Sequence, residues 1–248
     1  MPDWEPKFNG GESGSFEHTN WFTVKEAGSP ASPANDAART SIYKIYWQPI
    51  YFYVRRMGHG PEDAQDLAQE FFARLFEKNY LQSADREKGK FRSFLLTVLK
   101  RFLADQWDRA NRQKRGGGKQ FVSLDAQDTE LRYRAEPSDG QTPETVFEHR
   151  WAASLLDQVL KRLEEECASE GKSTVFQELK QFLTNEQESS CAEVAHKLGI
   201  TENNVKVTVH RLRQRCRELL REEIARTAAS PAQVEEEIQD LFAVLRGN

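Results

Sequence analysis

The stretch PEDAQDLAQEFFARLFEK, residues 61–78, carries Ala64, Leu67, Ala68, Phe71, Phe72 and Leu75 at the spacing i, i+3, i+4, i+7, i+8, i+11. Apolar groups at that interval gather on one side of a 3.6-residue spiral but scatter over both faces of a pleated strand, so only a helix buries them together. Pro61 stands at the first helical position, where a missing N–H is least felt. The same period returns at Phe91, Phe94, Leu95, Val98, Leu99, Phe102 and Leu103, and earlier at Ile42, Ile45, Tyr46, Ile50 and Tyr53, where Pro49 is a candidate kink. No segment shows the strict alternation of a half-buried strand. The expected fold is therefore all-α.

Punctuation along the chain divides it. Gly116-Gly117-Gly118 stops the helix that begins at Phe91, and the stretch to Thr142, rich in Asp, Gln, Ser and Gly, reads as a linker. A second helical set follows from Pro143, and Pro231 after Ser230 opens a last amphipathic helix with Val234, Ile238, Leu241, Phe242 and Leu245 on one stripe. The expected organisation is an irregular extension over 1–34, held by Trp21 and Phe22; a helical domain over 35–115; a flexible acidic linker over 116–142; a second helical domain over 143–226; and a terminal helix over 227–248.

Composition excludes several classes. With 30% charged residues, 38% hydrophobic residues and a mean hydropathy of -0.75, the chain contains no run approaching the ~20 apolar residues of a bilayer crossing. MPDWEPKFNG lacks the basic start and apolar stretch of a secretion signal, so a cytoplasmic location without membrane insertion is expected. Cys167, Cys191 and Cys216 have no C-x-x-C spacing, which offers neither a disulfide framework nor a four-cysteine zinc site. The five histidines lack ligand spacing, and no P-loop, H-E-x-x-H, G-x-S-x-G or G-x-G-x-x-G occurs. Neither an enzyme nor a metal or cofactor site is expected.

The net charge of -4 conceals a strong asymmetry. Residues 86–119 hold eleven Lys or Arg against three carboxylates, and residues 201–221 hold six against two, whereas residues 62–77 hold five carboxylates against one Arg. Two separated basic blocks on an acidic chain point to two contacts with a polyanion.

The second basic block lies within SSCAEVAHKLGITENNVKVTVHRLRQR. Ala195 is small enough for two helices to approach, Gly199 admits a left-handed turn, Thr201 is placed to cap the next helix, and Val205 packs back. That is the spacing of a helix-turn-helix. Val205, Val209, Leu212 and Cys216 then face inward, while Asn203, Asn204, Lys206, Thr208, His210, Arg211, Arg213 and Arg217 face out. Amides and Lys near the helix start reach base edges and guanidinium groups reach phosphates, as a major-groove helix requires. A solvated basic helix in a bundle is the plainer alternative.

The first basic block runs along the helix from Phe91, where Lys100, Arg101, Arg109, Arg112, Lys114 and Arg115 accompany Trp107. Trp107 has two readings, a base-stacking platform or one more member of the buried stripe. On the helix from Pro61 the polar face carries Asp63, Asp66, Gln69, Glu70, Arg74 and Glu77. Asp66 and Glu70, one turn apart, repel each other, so a basic partner is expected to offset that cost.

Taken in order, DAQDLAQEFFARLFE, KGKFRSFLLTVLKRFLADQWDRANRQKR, an acidic linker and a helix-turn-helix resemble a two-domain RNA polymerase sigma factor of the extracytoplasmic-function group within the sigma-70 family, over about residues 41–223. The resemblance implies a region 2 bundle followed by a region 4 domain, with core RNA polymerase and promoter DNA as partners and room for an anti-sigma factor. It implies that Asp63, Asp66, Gln69 and Glu70 dock on the clamp helices of the largest polymerase subunit, and that the flap is a second polymerase contact. Lys88, Lys90, Arg92, Lys100, Arg101, Asp105, Trp107 and Arg109 would open and hold the minus-ten element. Asn203, Asn204, Lys206, Thr208, His210, Arg211 and Arg213 would read the minus-thirty-five element, and the linker would thread the RNA exit path. Arg101 stands where the family often has Asn, Val207 where it has Ser and Thr208 where it has Arg, so base specificity does not carry over. A helix-turn-helix regulator that binds DNA without polymerase is the alternative from a different class.

Overall fold

The computed structural model describes residues 22–28, 33–77, 80–84, 89–112, 130, 133, 140–184, 189–228 and 230–246, and among these every regular element is helical. The first set comprises α1 (Phe22–Ala27), α2 (Pro33–Arg56), α3 (Pro61–Glu77), a 3-10 turn (Tyr80–Ser83) and α4 (Phe91–Arg112). The second comprises α5 (Pro143–Ser169), α6 (Ser173–Leu179) with a 3-10 turn (Lys180–Phe182), α7 (Cys191–Leu198), α8 (Glu202–Ala225) and α9 (Pro231–Arg246).

Where the sequence suggested only an irregular extension, α1 is a short helix with Val24 and Ala27 fully buried. Six residues cannot hold a helix alone. Side chains of α2 close its end instead: Asn35 Nδ2 donates to the carbonyls of Glu26 (2.8 Å) and Ala27 (3.1 Å), and Arg39 Nε to that of Ala27 (3.0 Å). Trp21 lies outside the described residues, as does most of the extension.

Helix α2 runs through Pro49 as one element. From Ile45 to Val54 nearly every side chain is buried, Ile50, Phe52 and Val54 completely. A helix apolar on all sides has to lie at the centre. Accordingly, α1, α3 and α5 all pack on it. Aromatic rings knit the first set, with Tyr43 4.9 Å from Phe72, Tyr46 edge-on to Phe91 at 5.6 Å and Phe71 edge-on to Phe102 at 5.6 Å.

The two helical sets do not stand apart. Helix α5, capped by Thr142 with Pro143 at its first position, lies along α2. The Arg150 guanidinium sits 4.1 Å from the Phe52 ring centre, and Lys100 Nζ meets Glu144 at 2.7 Å. Within the expected linker, Glu130 accepts from Tyr51 (2.6 Å) and from Arg55 Nε (2.9 Å) and Nη2 (3.0 Å), while Tyr133 packs on Phe52 at 5.3 Å. Sequence spacing places each helix but does not encode these pairings across the linker.

Helix α9 packs on α8 and α5. Its buried line is Val234, Glu237 and Leu241, with Ile238 and Val244 half-buried, whereas Phe242 and Leu245 are exposed. The stripe expected from hydrophobicity is thus turned toward Glu237, because that carboxylate is drawn inward by an arginine of the first set.

Candidate functional site

Three surfaces hold the residues singled out by sequence. On α3, Asp63 and Asp66 are exposed and Gln69 and Glu70 half-buried. Glu70 is held from two sides, by Arg74 one turn on and by the side-chain amide of Gln106 from α4. The i, i+4 repulsion between Asp66 and Glu70 is therefore partly offset within the molecule, and the outward acidic pair is Asp63 and Asp66.

A cleft of about 260 Å³ opens between α3, the Tyr80–Ser83 turn and α4. Phe71, Leu75, Phe94, Val98 and Phe102 form its apolar walls, and Arg74, Tyr80, Arg101 and Asp105 its polar lining. Arg74 lies 5.0 Å from the Phe102 ring centre. Arg101, Asp105 and Arg109 are exposed on α4, and Trp107 is 67% exposed, which removes it from the buried stripe that was its alternative reading. Apolar walls with a few convergent polar groups suit a flat, partly polar ligand. Sequence spacing assigns each wall residue only to the core stripe of its own helix and does not mark it as lining a cleft. Lys88 lies outside the described residues.

The third surface is α8. A capping box starts α7, where Ser190 accepts from the Glu193 N–H and Glu193 returns the bond to the Ser190 N–H at 2.7 Å. Gly199 ends it with φ 66° and ψ 28°, a left-handed conformation that costs a side-chain-bearing residue about 1 kcal/mol or more. Thr201 then caps α8, accepting from the Asn204 N–H at 3.2 Å. Ala195, Val205, Val209 and Leu212 are buried between the helices. Asn203, Lys206, His210 and Arg213 are exposed, and Asn204 and Arg211 half-buried. Thr208, expected on the outer face, is instead buried and donates to the Asn204 carbonyl at 2.7 Å. One turn past Asn204 its small side chain fits against the core, with its hydroxyl satisfied locally. Lys206 pairs with Glu202 at 2.7 Å, which raises its ammonium pKa.

The acidic α3 face, the cleft and the aromatic and basic end of α4 all lie within one segment. Residues 42–113 match the Sigma-70 region 2 family. The match supports a member of the sigma-70 family and indicates the role of that region, binding of RNA polymerase and melting of the promoter. Members of that family are transcription initiation factors rather than enzymes. Comparison with curated proteins and with solved structures gave no significant match. Among the described residues no helix is long and apolar enough to cross a membrane.

Region 2 does not present all of its expected cations to solvent. Arg92 is 6% exposed at the start of α4. Its Nε meets Glu148 of α5 at 2.8 Å, its Nη2 meets Asp240 of α9 at 2.5 Å, and its Nη1 is paired with Glu237. Lys90 also binds Asp240. Burial pushes the Glu148 carboxyl up, against the pull of Arg92. Burial alone would raise Asp240 too, yet its bonds from Lys90 and Arg92 hold it below the usual carboxylate range. The Lys100 ammonium likewise lowers the Glu144 carboxyl.

Proposed function

We propose that the chain is a sigma factor of the extracytoplasmic-function type, cytoplasmic, with region 2 over 35–115 and a region 4-like helix-turn-helix domain over 143–226. The observation that carries this reading is the region 2 match over the segment that combines an outward acidic face with an apolar-walled cleft lined by Arg101 and Asp105. In it, Asp63 and Asp66, flanked by Gln69 and Glu70, dock on the clamp helices of core polymerase. Extruding a base from a duplex costs a few kcal/mol, and an apolar-walled cleft recovers part of that cost by burying the base face. The cleft beside Arg101 and Asp105 receives an unpaired base of the minus-ten element, Trp107 stacks on a neighbour, and Arg101 and Arg109 hold the backbone.

Helix α8 then enters the major groove at the minus-thirty-five element. Asn203, Asn204 and Lys206 lie near its start, toward base edges, and His210, Arg211 and Arg213 further along, toward phosphates. Thr208, turned inward, drops out of that set.

Capture by immobilised core RNA polymerase tests the reading. The parent protein should be retained, and Asp63→Lys/Asp66→Lys, which alters only exposed side chains, should be lost from the resin with an unchanged melting temperature. Retention of that variant at parental affinity would exclude the α3 face, and failure of the parent to bind core enzyme would exclude the sigma-factor reading.

A further inference from the structure

We propose that α9 is an intramolecular latch whose carboxylates occupy the region 2 cations Lys90 and Arg92 in place of nucleic-acid phosphate; the proposal rests on the reading of region 2 as a DNA-binding surface. Five described residues of the expected minus-ten set are cationic: Lys90, Arg92, Lys100, Arg101 and Arg109. Carboxylates of the second helical set neutralise three of them, through Asp240, Glu237, Glu148 and Glu144. Asp240 reaches Lys90 and Arg92 together, as a single phosphate would.

The chemistry suits a contact that opens. A buried ion cluster gains little over its separated, hydrated charges, because desolvation offsets most of the attraction. Exchanging one set of anionic oxygens for another therefore changes the free energy little, and an incoming polyanion competes on nearly equal terms. Glu148, Glu237 and Asp240 set three carboxylates against Lys90 and Arg92, a surplus of negative charge that is relieved when the two α9 carboxylates withdraw and one phosphate takes their place. Helix α9 is anchored elsewhere through Val234 and Leu241 against α8 and α5, and through Arg221, which meets Glu235 at 2.9 Å. Release of Lys90 and Arg92 therefore leaves α9 folded on α8 and α5, which withdraw from region 2 with it.

The test measures binding of the full chain, without polymerase, to a fluorescein-labelled mixed-sequence duplex with a central unpaired bubble at low salt. Glu237→Gln/Asp240→Asn should bind about tenfold tighter than the parent. Glu165→Gln/Glu236→Gln removes the same charge from exposed positions of α5 and α9 outside the cluster and should stay within about twofold of the parent. An equal gain in both double variants would show a bulk charge effect and overturn the latch. So would no gain in Glu237→Gln/Asp240→Asn, although the DNA-binding reading would then stand if the parent binds the bubble with core polymerase. If neither parent nor variants bind the bubble with or without core polymerase, that reading falls and the latch with it. Should the double variant not fold, Asp240→Asn alone decides, since Asp240 is half-buried and the Glu237–Arg92 pair remains; it should bind severalfold tighter, and parental affinity would overturn the proposal.

Discussion

The Arg92 guanidinium lies over the indole of Trp151, 4.3 Å from the ring centre, so a first-set cation is enclosed by an aromatic wall as well as by three carboxylates. Removing it leaves the buried Glu237 and the half-buried Glu148 without the guanidinium they share. Arg92→Ala should cost about 3 kcal/mol at neutral pH, the usual scale for breaking one side of a buried ion cluster. Because burial already raises the Glu148 carboxyl, protonation relieves the variant, and the deficit should shrink as pH falls toward 5. Urea midpoints at the two pH values check both statements.

Trp107 is the opposite case, a large ring left in solvent. Trp107→Ala should leave the thermal midpoint within the spread of surface substitutions, about 0.5 kcal/mol. It should weaken binding of bubble DNA by about 1 to 3 kcal/mol, the worth of one stacked base. Loss of stability together with unchanged DNA affinity would make the ring a packing residue.

Gly199 has open space where a Cβ would stand, so only its backbone conformation opposes substitution. Gly199→Ala should cost about 1 kcal/mol, through the left-handed φ alone. Thermal denaturation measures it; no loss at all would mean the turn relaxes to another conformation, which altered amide chemical shifts at Ile200 and Thr201 would reveal.

Glu166 receives two bonds from Arg215, 2.8 and 2.9 Å, and they hold its carboxyl below the ordinary value. An acid with a lowered folded-state pKa adds stability above its unfolded value, near 4.3, and loses it as pH falls through the folded value. Glu166→Gln should therefore cost about 1 kcal/mol at pH 7 and almost nothing near pH 3. Urea melts at both pH values should show the two proteins converging; a constant gap would assign the effect to packing.

Much of the fold was legible because each helix carries its own period and its own punctuation. Pro61 and Pro143 open helices, Ser190 and Thr201 cap them, and Gly199 ends one, all through interactions spanning four residues or fewer. What escaped the sequence was relational. Thr208 was assigned outward because its type is polar, although a hydroxyl satisfied by Asn204 is at home against the core. Phe242 was assigned inward because it is apolar, whereas the ion pair between Arg92 and Glu237 sets how α9 is rotated. The cations of α4 were read as available, and nothing local to α4 encodes carboxylates that follow more than forty residues later. The cleft escaped for a related reason: its walls are core residues of two helices that only their packing brings together.

From Ile45 to Val54 helix α2 is buried on nearly all sides, yet one of its walls is α5, which follows it at a distance of 91 residues between Tyr53 and Glu144. During synthesis the segment holding Tyr46, Phe52 and Tyr53 leaves the ribosome long before α5, which meets it through Trp151, Arg150 and Glu144. At roughly 5 to 20 residues per second, that aromatic flank stays uncovered for several seconds. The nascent chain therefore passes through a sticky stage that the finished protein does not have. Chaperone demand in the cell, and aggregation of fragments ending before Pro143, are consequences of how far apart the two halves of this core are written.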